Sequence, residues 1–123
     1  MAEEISHIVF MKSISVEALR EKRISRLSTH EMIVDVRTPE EFAAGHVPGA
    51  INRPLDDLHN AIPELETYEA VFFICRTGGR SSRACRQVEV LGWQHAYNVD
   101  GGFEAWRSAG YDVEGEHAYT VGI

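Results

Sequence analysis

Short apolar runs alternate along the chain with capped or amphipathic stretches, and each alternation predicts a strand followed by a helix. "ISVEALREKR" (14–23) reads as the end of a strand, an N-cap at Ser15 and a short helix. "MIVDV" (32–36) is brief and rich in β-branched residues, the pattern of a buried strand. "TPEEFAAG" (38–45) holds a full helix start: Thr38 caps, Pro39 suits the first helical position, Glu41 completes a capping box, and Gly45 ends the helix. "HVPGAINRPL" (46–55) predicts a turn, a brief strand around Ala50 to Asn52 and a bend at Pro54, and "LHNAI" (58–62) a small helix. "AVFFIC" (70–75) is the strongest central strand. A helix from about Gly79 to Leu91 follows, with Ala84, Val88 and Leu91 at i, i+4 and i+7 as its core stripe. "AYNVDGGFEAW" (96–106) gives a short strand, an Asp-Gly-Gly turn and another helix, and the tail 114–123 is expected to fray.

Strand, glycine loop and helix in succession imply an α/β domain with a mostly parallel sheet. The 123 residues are read as one domain over 1–123, with a core at about 14–113 and a C-terminal tail at 114–123. In open sheets of this kind, ligands bind outside the carboxyl ends of the strands, and Cys75 stands at one of those ends.

The 44% hydrophobic and 25% charged fractions are those of a globular protein and argue against disorder. No apolar run approaches the ~20 residues that span a bilayer. The start "MAEEISHIVF" carries acids where a signal peptide needs positive charge. Two cysteines do not make a disulfide scaffold, so both are expected reduced, in a cytoplasmic setting. His7, His30, His46, His59, His95 and His117 are scattered, none at metal-ligand spacing beside a cysteine, and no metal site is read.

The net charge of -7, from 12 Lys+Arg against 19 Asp+Glu, argues against nucleic-acid or anionic-membrane binding. Ten of the twelve basic residues are arginines, and four of those lie within Arg76 to Arg86, a stretch without an acid. An acidic chain thus carries one local positive patch.

That patch is "FFICRTGGRSSRACRQ" (72–87). A thiolate is the nucleophilic form of cysteine, and a helix N-terminus with nearby arginines lowers a thiol pKa from its free value of about 8.5. Cys75 is placed between a strand and the next helix. Thr77, Gly78 and Gly79 let successive N–H groups curl into an anion-binding concavity, because glycine tolerates positive φ and close backbone approach. Arg76 and Arg80 add charge around the same pocket, and Ser81 follows them at the helix start. A lone cysteine ending a strand is ordinarily a small buried hydrophobe. The combination with paired glycines, flanking arginines and an acid-free helix start favours a nucleophile in an anion cradle. Cys85 falls beside the apolar stripe of the helix and is read as structural, a resolving partner for Cys75 being the alternative; Arg83 and Arg86 are read as a solvated face.

"DVRTPEEFAAGHVPGAINRPL" (35–55), "FFICRTGGRSSRAC" (72–85) and "GWQHAYNVDGGFEAWRSAGYDV" (92–113) together resemble a single-domain rhodanese, a sulfurtransferase, in order and spacing over about Ile14 to Val113. The resemblance implies a five-stranded parallel sheet flanked by helices on both faces, with the catalytic cysteine at Cys75. It also implies a cradle of Cys75, Arg76, Thr77, Gly78, Gly79 and Arg80 whose N–H groups hold a persulfide sulfur. Asp35 and Arg37 match the family's D-V-R strand end; Asp35 is read as orienting neighbouring loops, and Arg37 as either facing the pocket or pairing with a carboxylate. His46 matches a turn, where it shapes the loop, and the Asp100 to Trp106 block is structural, with Trp106 packed on the sheet. Some thiosulfate-preferring members carry lysine where this chain has Thr77, which points away from strong thiosulfate preference. Arg76 stands where members preferring 3-mercaptopyruvate have a small residue, and no second rhodanese-like half is expected.

The implied activity transfers sulfane sulfur from thiosulfate or a low-molecular-weight persulfide to cyanide, a thiol or a protein acceptor, with no cofactor. Two other classes stay open. A cysteine phosphatase or arsenate reductase needs Cys-x5-Arg, whereas the sixth residue after Cys75 is Ser81 and Arg80 is one short. A sulfur-carrier or regulatory binding module would carry the same residues with little turnover of its own. The sequence leaves the oligomeric state open.

Overall fold

A computed structural model describes residues 11–24 and 30–115, so most of the tail expected to fray lies outside the described residues. The elements run β1 (Lys12–Ile14), α1 (Val16–Ile24), β2 (Glu31–Asp35), α2 (Pro39–Ala44), β3 (Ile51–Asn52), a 3-10 turn (Leu55–Asp57), α3 (Leu58–Leu65), β4 (Ala70–Ile74), α4 (Gly79–Val90), β5 (Ala96–Val99) and α5 (Gly102–Ser108). The five strands form one sheet in the order β1-β5-β4-β2-β3, and every pairing is parallel. Among the described residues no helix is long and apolar enough to cross a membrane.

The two-residue period of the central strand builds two cores. Val71, Phe73 and Cys75 join Val34 and Val36 beneath Leu58, Ala61 and Leu65 of α3 and Ala84, Cys85 and Val88 of α4. Phe72 and Ile74 join Ile33 and Val99 on the other face, beneath Leu19 of α1 and Phe103 and Trp106 of α5. All five residues of β4 are buried, which is why the strand reads as continuous hydrophobics rather than as an alternation.

Strand order locates the crevice. From β2 the chain moves outward to β3, while from β4 it moves the opposite way to β5. Connections therefore diverge between the carboxyl ends of β2 and β4, where open α/β sheets leave room for a ligand. Asp35 to Arg37 follow one of these ends and Cys75 the other, tied by the Val36 N–H bond to the Ile74 carbonyl at 3.0 Å.

The capping box at α2 forms as its residues predict. Thr38 Oγ1 accepts the Glu41 N–H at 3.2 Å, and Glu41 Oε1 accepts the Thr38 N–H at 3.1 Å. Ser15 likewise caps α1, accepting the Ala18 N–H at 3.1 Å. The stripe assigned to α4 needs correcting at its end. The helix stops at Val90, and Leu91 is 58% exposed. Gly92, at φ 95°, turns the chain so that the Trp93 N–H reaches the Val88 carbonyl and the Gly92 N–H the Glu89 carbonyl. This is a Schellman ending, and it brings Trp93, not Leu91, back into the core.

Candidate active site

Cys75 follows the last residue of β4 and is 1% exposed, facing the core that α3 and α4 cover. Its Sγ accepts the Gly78 N–H at 3.1 Å and lies 3.3 Å from Ser81 Oγ. Gly78 adopts φ 127°, a conformation that L side chains rarely take, and this folds its amide back over the sulfur. Gly79 is different from its sequence-based reading. It is the first residue of α4, without positive φ, and a Cβ there would meet nothing within 4 Å.

Burial opposes ionisation of Cys75. Hydrogen bonds from the Ser81 hydroxyl and from the amides of Ser81, Gly78 and Thr77 outweigh it, and the thiol pKa is lowered from its ordinary value. Ser81 is fully buried and its hydroxyl also meets Asn98 Oδ1 at 2.5 Å, Asn98 being a buried residue of β5. Cys85 behaves oppositely: burial, with the Glu89 charge, pushes its thiol up to about 12, as suits a structural residue.

The arginines are placed otherwise than a simple cradle requires. Arg80 is gripped by Glu41, Nη1 to Oε1 at 2.6 Å and Nη2 to Oε2 at 3.0 Å. Arg76 points outward, its side chain 66% exposed, with Nε 3.6 Å from Glu104 Oε1. Neither guanidinium is placed as an unpaired charge beside the sulfur. The open choice for Arg37 is resolved in favour of pairing. Its Nε and Nη2 donate to the Asp35 carboxylate at 2.8 to 3.1 Å, and Nη2 also donates to the Gly45 carbonyl at 2.7 Å. The guanidinium lies 4.5 Å over the Phe103 ring. Asp35 and Arg37, both buried, thus brace the end of β2 against α2 and α5.

His46 shapes its turn: Nδ1–H donates to the Phe42 carbonyl at 2.7 Å and the ring stacks on Phe42 at 3.7 Å. Trp106 is 1% exposed in the second core and donates from Nε1 to the Asp112 carbonyl. The Asp-Gly-Gly block also serves the site directly. The Phe103 N–H donates to the Cys75 carbonyl at 2.8 Å and the Glu104 N–H to the Arg76 carbonyl at 3.0 Å, so the start of α5 clamps the loop from behind. Gly102 makes this approach possible: a Cβ there would stand 2.5 Å from the Cys75 carbonyl oxygen. Sequence reasoning missed Asn98, Gly102 and the second role of Glu41. The paired glycine after β5 was the one available signal, since two glycines following a strand often mark close backbone approach.

The Rhodanese-like domain profile matches residues 15–109. The chain is 33% identical over 102 residues to the uncharacterized protein YqhL of Bacillus subtilis, covering 83% of this chain and 80% of that protein. Its fold superposes on a rhodanese-like domain protein from Staphylococcus aureus with TM-score 0.73 at 34% identity, covering 86% of this chain and 99% of the other. It also superposes, with TM-score 0.77 at 26% identity and 85% coverage of each chain, on a Rhodopseudomonas palustris protein described as a possible tyrosine phosphatase. With this sheet, this strand-end cysteine and a profile match across most of its length, the chain belongs to the Rhodanese-like domain family.

Proposed function

We propose that this chain is a sulfurtransferase that carries sulfane sulfur as a persulfide on Cys75. The observation that carries the reading is the sulfur's environment: a buried thiol held by the Gly78 amide and the Ser81 hydroxyl, with its pKa lowered, at the start of a helix. The Cys75 thiolate attacks the outer sulfur of a donor. With thiosulfate, the new S–S bond forms as the donor's S–S bond breaks and sulfite leaves. With an organic persulfide, a thiolate leaves instead. The bound sulfur meets the loop amides and the positive end of the α4 dipole. A nucleophilic acceptor then attacks that sulfur, and the Cys75 thiolate is the leaving group. Cyanide would give thiocyanate; a thiol or a protein thiol would give a new persulfide. Oxidation states balance across the two half-reactions, and the kinetics are ping-pong.

Phosphoryl transfer fits these residues less well. The sixth residue after Cys75 is Ser81, and the neighbouring Arg80 is engaged by both oxygens of Glu41, so its guanidinium is not free to grip a tetrahedral oxyanion.

Intact-protein mass spectrometry after incubation with thiosulfate or glutathione persulfide tests the reading. Wild type should gain one sulfur atom, lose it to cyanide, and show no gain as Cys75→Ala. No gain from either donor, in folded protein with a reduced thiol, would sink the proposal and leave a binding module. Loading without steady-state turnover would instead mark a sulfur carrier that passes its cargo to a protein partner.

A further inference from the structure

Each guanidinium around the loop is matched by a carboxylate: Arg37 by Asp35, Arg80 by Glu41, and Arg76, more loosely, by Glu104. The Arg80 pair decides most. Arg37 is locked in the interior, and Arg76 is mostly in solvent, where its charge is screened. Arg80, its side chain about one-third exposed, stands on the first turn of the helix that follows the Cys75 loop. Hydrogen bonding to Glu41, ahead of smaller contributions from the charges of Cys75 and Asp35, raises its pKa.

We propose that Glu41, by occupying Arg80, tunes this site for organic persulfides and against thiosulfate; the inference rests on the sulfurtransferase reading. Thiosulfate brings a doubly negative ion onto an anionic thiolate. A site whose arginines are already matched by carboxylates has only loop amides and a helix dipole to set against that charge. An organic persulfide brings one negative charge or none at its sulfur end, and the loop amides suffice. The transfer is the same in atoms and electrons: Cys75 thiolate plus R–S–SH gives the Cys75 persulfide plus the R–S thiolate. Specificity arises here from a charge withheld rather than from a contact added.

Glu41→Gln frees Arg80 while keeping the helix start, because glutamine also completes a capping box. The experiment compares rates of Cys75 loading by thiosulfate and by 2-hydroxyethyl persulfide, a donor without carboxylates, read by intact mass. In Glu41→Gln the ratio of the thiosulfate rate to the persulfide rate should rise about tenfold at low salt, and the rise should shrink at high salt. Arg80→Gln, which leaves the Glu41 charge without its arginine, should move the ratio the other way. Opposite signs at these positions are not what a loss of structure would give. If both donors load wild type but the ratio stays constant in Glu41→Gln, or moves alike in both variants, the inference is overturned while the sulfurtransferase reading stands. If neither donor loads wild type, that reading falls and takes the inference with it.

Discussion

Ser81 has one hydroxyl proton and three acceptors around it: Asn98 Oδ1 at 2.5 Å, the Gly78 carbonyl at 3.2 Å and Cys75 Sγ at 3.3 Å. When Cys75 is a thiol, its own proton can be given to Ser81 Oγ while the hydroxyl turns to Asn98. Once Cys75 is a thiolate, the hydroxyl is needed at the sulfur. Ser81→Ala removes that donor and leaves the burial, so the Cys75 pKa rises. The measurement is the pH dependence of iodoacetamide alkylation, whose midpoint moves upward in the variant. An unmoved midpoint would show that the loop amides alone hold the thiolate. Cys85 supplies the internal reference: with its thiol pushed up to about 12 and no exposed surface, it should stay unlabelled until the protein unfolds.

The helix starts place opposite demands on their glycines. At the start of α5, Gly102 sits at φ 60° with a would-be Cβ 2.5 to 2.7 Å from the backbone of Cys75 and Arg76. Gly102→Ala should therefore cost on the order of 2 kcal/mol or more and loosen the clamp behind the loop. Gly79→Ala has open space and helical backbone at the start of α4, and should be neutral or stabilise by about 0.5–1 kcal/mol. Urea unfolding of the two variants checks both, and similar losses would mean that the loop needs each glycine for flexibility. At α2, the Arg80 hydrogen bond, opposed by burial and helped by Thr38, lowers the Glu41 pKa from 4.5 to about 2. A depressed carboxyl contributes stability that is full above its unfolded pKa and is lost as pH falls through the folded one. Wild type should then exceed Glu41→Gln by on the order of 1 kcal/mol at neutral pH, discounted for the pair's partial exposure, and the gap should close between pH 4.5 and about 2. A gap independent of pH would assign the effect to packing.

Among the described residues the sheet divides two cores that share its strands. Leu19, on α1, and Leu65, on α3, are both fully buried and belong to opposite faces. Leu19→Ala and Leu65→Ala should each cost about 2–5 kcal/mol, and the double variant should lose their sum within about 0.5 kcal/mol. Strong coupling in the denaturation data would mean that strain passes through the sheet. The site depends on both layers at once: Cys75 packs with the α3 and α4 core, while its carbonyl is held by α5 from the other face. Phe103 links them, donating its N–H to Cys75 and burying its ring in the second core beneath Arg37.

What the sequence determined by itself was whatever is local in the chain. The order of strands and helices follows from apolar periodicity, the α2 cap is completed within three residues, and the strand, Cys75, Gly78 and helix start are contiguous. A thiol at a helix start beneath a folded-back amide is legible for that reason. Tertiary structure decided what depends on residues far apart. Glu41 and Arg80 are 39 positions from each other, so the arginine that looked like part of an anion cradle has its charge matched from α2, two helices earlier in the chain. Arg37 could either face the pocket or pair with a carboxylate until the bend after β2 turned it back on Asp35. Helical spacing extended the α4 stripe to Leu91, but the reversal at Gly92 gave its place to Trp93. Periodicity and caps are short-range physics, written in neighbouring residues; which charge meets which is set by how the sheet stacks its crossovers, and no local pattern encodes it.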